Sequence, residues 1–180
     1  MTLKHFKKLQ AGRKKYQAFR SIIVLNKAKK LSIQGLSEMK NLSRKDLFAA
    51  GIALYWAEGF KHKDESGLGL ATSDPEMARF YANWLEQFVG ISIADLKFRV
   101  TANISHKERI TAIEKFWAAY LGIPLSQFTK PFFQKSQWKK TYSNRDKYFG
   151  VIRIHVRKSL DRLRKMRGWI EGLKQGFDVK

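Results

Sequence analysis

Apolar residues recur along this chain at two different periods. Spacings of three or four predict helices, and strict alternation predicts strands. A helical pattern starts after Ser43 and ends at Glu58; Ser43 and Asp46 have the capping-box spacing in which a hydroxyl and an acid satisfy free amides at a helix start. Ser73-Asp74-Pro75-Glu76 opens a second helix, with proline in the first turn, where its missing donor costs little, and with Met77, Phe80, Trp84 and Phe88 as the apolar stripe. Ser105-His106-Lys107-Glu108 opens a third, whose inner face is Ile110, Ile113, Phe116, Trp117, Tyr120 and Leu121. A fourth runs from about Ser159 and turns Leu160, Leu163, Met166, Trp169, Ile170 and Leu173 inward, with Arg162, Arg164, Lys165 and Arg167 on its other face.

Strand patterns lie between these helices. "GLGLATS" puts Leu68 and Leu70 on one side, "LKFRVTA" separates Leu96, Phe98 and Val100 from Lys97, Arg99 and Thr101, and "GVIRIHV" separates Ile152, Ile154 and Val156 from Val151, Arg153 and His155. "FTKPFFQKS" is a weaker strand, which Pro131 restricts to an edge or a bulge. Such alternation predicts a half-buried antiparallel sheet with a cationic outer face, hence an α+β fold with helices on the other face. Residues 1–42 read as a basic N-terminal arm or helix, 43–174 as one α+β domain, and 175–180 as a tail.

Charge sharpens this picture. Thirty-six Lys and Arg against 15 Asp and Glu give a net charge of +21, which attracts polyanions. No apolar run approaches the roughly 20 residues of a spanning helix, so nucleic acid is the expected partner and a membrane is not. Nothing acidic precedes Glu38, and a second basic tract from Phe128 to Gly150 carries Lys139 and Lys140 among Phe132, Phe133, Trp138, Tyr142 and Tyr148. With no cysteine, disulfides and thiolate metal sites drop out, and the expectation is a cytoplasmic protein, nucleoid-associated when bound to DNA. The four histidines lack helical metal-ligand spacing, and no serine has a visible histidine partner for nucleophilic catalysis.

The helix ending at Glu58 poses the chemical question. A carboxylate at a helix C-terminus opposes the macrodipole, so helix stability does not account for it. Ala49, Ala53 and Ala57 recur every four residues as a ridge of small side chains. Either the ridge packs on the chain's own sheet, or it lets the same helix of a second copy approach closely. The second arrangement would bring two Glu58 carboxylates together, and a hard divalent cation such as Mg2+ would hold them and could serve phosphodiester cleavage.

The segment Gly51 to Gly59, "GIALYWAEG", resembles the LAGLIDADG motif of homing endonucleases in its single-motif form. Ala53 and Ala57 fall on the small interface positions, and Glu58-Gly59 on the terminal acid-glycine pair associated with the metal; glutamate stands for the usual aspartate, and Trp56 for an often polar residue. The resemblance implies a homodimer through the motif helix, a saddle-shaped antiparallel sheet over double-stranded DNA, and Mg2+-dependent hydrolysis with Glu58 as catalytic residue and metal ligand. It places Ala53 and Ala57 at the dimer interface, and the four-residue ridge adds Ala49. Lys97, Arg99, Arg153 and His155 face DNA by strand alternation, while Lys61 and Lys63 beside the motif and Lys139 and Lys140 in the basic tract are further DNA-contact candidates. Some members of this family bind DNA without cutting it, among them a regulator of sporulation, so a non-catalytic regulator is the alternative on the same fold. Outside the fold, the alternative is a basic RNA-associated protein whose motif helix is only core.

Overall fold

The computed structural model describes residues 3–60, 67–135 and 145–178. The chain divides into two units, Met1–Ser43 and Arg44–Lys180. The first is a single long helix, α1 (Leu3–Glu38), whose only acid is Glu38. Phe19, Ile22, Ile23, Val24 and Leu25 wind around it without forming a single apolar stripe.

The second unit is α+β. Its elements are α2 (Arg44–Glu58), β1 (Gly69–Thr72), α3 (Pro75–Trp84), β2 (Leu96–Asn103), α4 (Ile110–Leu121), β3 (Phe132–Gln134), β4 (Val151–Val156) and α5 (Leu160–Asp178). The sheet order is β1-β4-β2-β3. β4 runs antiparallel to β1 and β2, but β3 pairs parallel with β2, so the sheet is mixed where the alternation alone predicts an antiparallel one. The connection explains this: β2 returns through α4 before β3 begins, and such a crossover delivers a strand in its original direction. Pro131 stands just before β3, the edge strand, where a missing donor does no harm.

One face of the sheet is the core face. Leu70, Leu96, Phe98, Val100, Ile152 and Ile154 have no exposed surface and pack with Tyr55 of α2, Tyr81 of α3, Trp117 of α4 and Met166 of α5. Burying each large apolar side chain contributes about 1.5–3 kcal/mol, so this layer holds the helices on the sheet.

Helix entries differ in detail from their sequence signatures. α2 starts at Arg44, directly after Ser43. For α3 the cap is Asp74, not Ser73, because Pro75 occupies the first helical turn; the Asp74 carboxylate accepts from the Glu76 N–H at 2.9 Å and the Met77 N–H at 3.3 Å. Before α4 the chain makes a 3-10 turn over Ile104–Arg109, begun by Asn103, whose side chain accepts from the Ser105 N–H at 3.0 Å. The buried face of α3 is Ala78, Tyr81, Ala82 and Trp84, turned from the predicted stripe so that two alanines meet the core and Phe80 stays exposed. α5 continues to Asp178, past the predicted domain end at residue 174.

α2 and α3 meet at Gly51. A Cβ there would lie 2.1 Å from the indole of Trp84, so no other residue fits without moving that ring. Trp84 sits among Phe48, Tyr81, Phe88 and Trp169, with ring centroids 5.9–6.3 Å away, and its Nε1 donates to the Phe48 carbonyl at 3.2 Å. This aromatic cluster fixes α2, and through it the position of Glu58. Among the described residues no helix is long and apolar enough to cross a membrane.

Candidate nucleic-acid interface

Alternation along β2 and β4 sends every second side chain to the face opposite the helices. The strand register pairs Lys97 with His155 and Arg99 with Arg153. Two adjacent rows therefore bring together the four residues predicted from separate strands, forming one half-buried patch. Like charges directly across a ladder destabilise it by about 0.2–1 kcal/mol, so the sheet is not the beneficiary of the Arg99 and Arg153 pair.

Two aromatic rings flank the patch. Gly59 forms an isolated bridge with Leu70, and the Phe60 N–H donates to the Gly69 carbonyl at 2.9 Å, which extends the sheet beyond β1. Gly69 is the neighbour of His155 in the ladder, and a Cβ on it would lie 2.3 Å from the Phe60 ring; the missing side chain leaves the ring flat on the cationic face. Phe60 stands 4.8 Å from the His155 ring, and the Arg153 guanidinium lies 4.7 Å above Phe60. On the opposite edge the Arg99 guanidinium is 6.0 Å from the ring of Phe132, which is itself exposed. Both guanidiniums lean outward onto aromatic faces, an arrangement that keeps two like charges apart.

Burial, and then the neighbouring Arg99, lower the Arg153 pKa from the ordinary arginine value, although a guanidinium keeps its proton throughout the biological range. The Nε atoms of Arg99 and Arg153 and the Thr101 hydroxyl are buried without a hydrogen-bond partner among the described residues. All three belong to this face of the sheet. Unmet donors beside concentrated positive charge suit an anionic, hydrogen-bonding ligand.

Glu58 ends α2, two residues before Phe60, and is exposed at the β1 edge of the same sheet. Gly59 allows the tight exit: its N–H donates to the Tyr55 carbonyl at 2.7 Å, and a Cβ would meet that carbonyl at 2.4 Å. A hard divalent cation takes about six oxygen ligands. Among the described residues no group of three or more His, Asp or Glu could hold a metal, and Glu58 by itself does not fill such a shell. The described residues fit such an ion only if further oxygen donors are brought beside Glu58.

The alanine ridge does not pack on the chain's own sheet. The buried residues of α2 are Gly51, Ile52 and Tyr55, whereas Ala49 is half-buried and Ala53 and Ala57 are exposed. Lys61, Lys63, Lys139 and Lys140 lie outside the described residues. Sequence reasoning missed Phe60 as part of the interface; its one sign in the sequence is an aromatic residue directly after Gly59, and the bare Gly69 that makes room for its ring is a tertiary neighbour. Comparison with protein-family models, curated proteins and solved structures gave no match.

Proposed function

We propose that the protein binds double-stranded DNA through the outer face of its sheet and, as a homodimer joined along α2, hydrolyses phosphodiester bonds in the manner of a single-motif LAGLIDADG-like endonuclease. The observation that carries this reading is the coincidence of the Lys97, His155, Arg99 and Arg153 patch with a sheet edge that ends in the exposed carboxylate of Glu58. A pair of β-strands enters the major groove of B-form DNA, whereas the deep, narrow major groove of A-form RNA does not admit side chains. The net charge of +21 favours the same partner by counterion release.

In this reading Lys97, Arg99, Arg153 and His155 bind and orient the duplex, with Phe60 and Phe132 holding the two guanidiniums extended. The exposed Ala53 and Ala57 let α2 of a second copy approach closely and set the two Glu58 carboxylates side by side. Mg2+ held there would supply Lewis acidity and an activated water. Lys61, Lys63, Lys139 and Lys140 are candidates for additional phosphate contacts.

A non-catalytic DNA-binding regulator on the same scaffold is the second reading, favoured by the position of Glu58 outside any group of three metal-binding side chains among the described residues. Supercoiled plasmid incubated with the protein and Mg2+ separates the two. Linearisation by the wild type, with Glu58→Gln binding in a gel shift but not cutting, supports the nuclease. Binding without cutting by both proteins supports the regulator, and absence of duplex binding contradicts both.

A further inference from the structure

Where β4 runs into α5, a cavity of about 280 Å³ is lined by Asp95, Arg157, Lys158 and Arg162 together with the Gly90 turn. It lies just past the last cationic row: Val156 pairs with Leu96, Arg157 follows Val156, and Asp95 precedes Leu96. Three cations thus face one carboxylate. Among the described residues none of the three cationic side chains makes an ion pair or hydrogen bond, although Arg164, on the same helix, pairs with Asp161 at 3.6 Å.

The backbone adds an independent observation. Lys158 has φ +47°, the one positive φ of a non-glycine among the described residues. Glycine adopts that conformation freely, while a side-chain-bearing residue does so at a cost. A lysine held there lines the cavity against the preference of its own backbone, and strain of this kind concentrates at binding sites. Asp95 offsets one of the three charges and leaves the cavity with a surplus of two cations.

We infer that this cavity binds a single phosphate group, with Arg157, Lys158 and Arg162 as its cationic walls. The volume accommodates a phosphate with several waters, each needing about 30 Å³. That the group is a backbone phosphate of duplex DNA leaving the sheet face rests on the proposed DNA-binding function; the anion site itself does not.

The test uses the full chain, with inorganic phosphate as the probe. Thermal unfolding is followed in phosphate and in chloride at equal ionic strength for wild type, Lys158→Gly and Arg162→Gln, and duplex binding is measured across a salt series. The wild type gains Tm in phosphate. Lys158→Gly unfolds about 2–4 °C higher than wild type in chloride, since its backbone is relaxed. It nonetheless loses at least half of the phosphate gain, and its salt slope for duplex binding falls by about 1. Arg162→Gln loses the phosphate gain without the rise in chloride. A Lys158→Gly variant that unfolds lower in chloride, or either variant keeping the full phosphate gain, overturns the inference. If the phosphate gain behaves as stated but no duplex binds, the anion site stands and the DNA-binding reading falls.

Discussion

Gly51→Ala pits helix propensity against packing. Alanine is favoured over glycine within a helix by about 1 kcal/mol, so at an exposed position this change would stabilise the protein. Here the new Cβ would lie 2.1 Å from Nε1 and Cε2 of Trp84 and 2.3 Å from Cδ1. An ordinary contact would require a shift of about 1.5 Å, yet Trp84 is only 2% exposed and is held by four other rings and the bond from Nε1 to Phe48. Overpacking costs about 1–3 kcal/mol, and a buried indole donor torn from its acceptor costs about 1–3 more. After subtracting the propensity gain, the net loss is about 1–5 kcal/mol. Urea denaturation measures it directly: the midpoint of Gly51→Ala falls while the slope stays near that of wild type. An unchanged or higher midpoint would refute the claim that this glycine exists to admit the Trp84 ring.

The remaining predictions concern the cationic face and the buried phenols. In Arg153→Gln, relief of the cross-strand repulsion, about 0.2–1 kcal/mol, offsets loss of the stacking on Phe60, about 0.5–1 kcal/mol. Tm therefore stays within about 2 °C of wild type while duplex affinity in a gel shift drops; a large stability loss with unchanged affinity would make Arg153 structural. Burial raises the pKa of Tyr55, and burial and then Tyr55 raise that of Tyr81 well above its ordinary value. Unfolded phenols ionise near pH 10 while the folded ones stay neutral, so stability is intact below about pH 10 and is lost as pH rises toward the folded pKa values. Because the Tyr81 hydroxyl is buried without a hydrogen-bond partner among the described residues, Tyr81→Phe should stabilise the fold by about 1 kcal/mol and flatten that alkaline loss in pH-dependent thermal unfolding.

Local rules made much of the second unit legible. Two-residue alternation in β2 and β4 put Lys97, Arg99, Arg153 and His155 on one face before their pairing was known. Register could not be read this way, because it depends on which strands meet; that Lys97 faces His155 and Arg99 faces Arg153 is a tertiary fact. The parallel pairing of β3 escaped for a similar reason, since direction follows from the path of α4 and not from residues of the strand. On α3 the apolar stripe was right at Trp84 but put Met77 and Phe80 where Ala78, Tyr81 and Ala82 face the core, because the two alanines look neutral in sequence, yet their small size lets the helix sit close to the core. For α2 the alanine ridge was visible but its direction was not. The bulk of Ile52 and Tyr55 turns those residues inward and leaves Ala53 and Ala57 outside. The rim cavity was illegible because the sequence puts Arg162 on a basic helix face and gives no sign that Arg157, Lys158, Asp95 and Gly90 gather beside it.

The catalytic reading depends on two copies meeting along α2, so that their Glu58 carboxylates share a divalent ion. The chain has no cysteine, so Ala53→Cys adds its sole thiol, on the exposed ridge. A disulfide forms only where two Cα atoms come within about 4.4–6.8 Å. Mild oxidation of this variant, with the products run on a non-reducing gel, is the most direct measurement. Pairing along α2 predicts a covalent dimer formed rapidly at micromolar concentration that still shifts duplex DNA. A variant that binds duplex but stays monomeric under the same oxidation would contradict the paired-carboxylate arrangement.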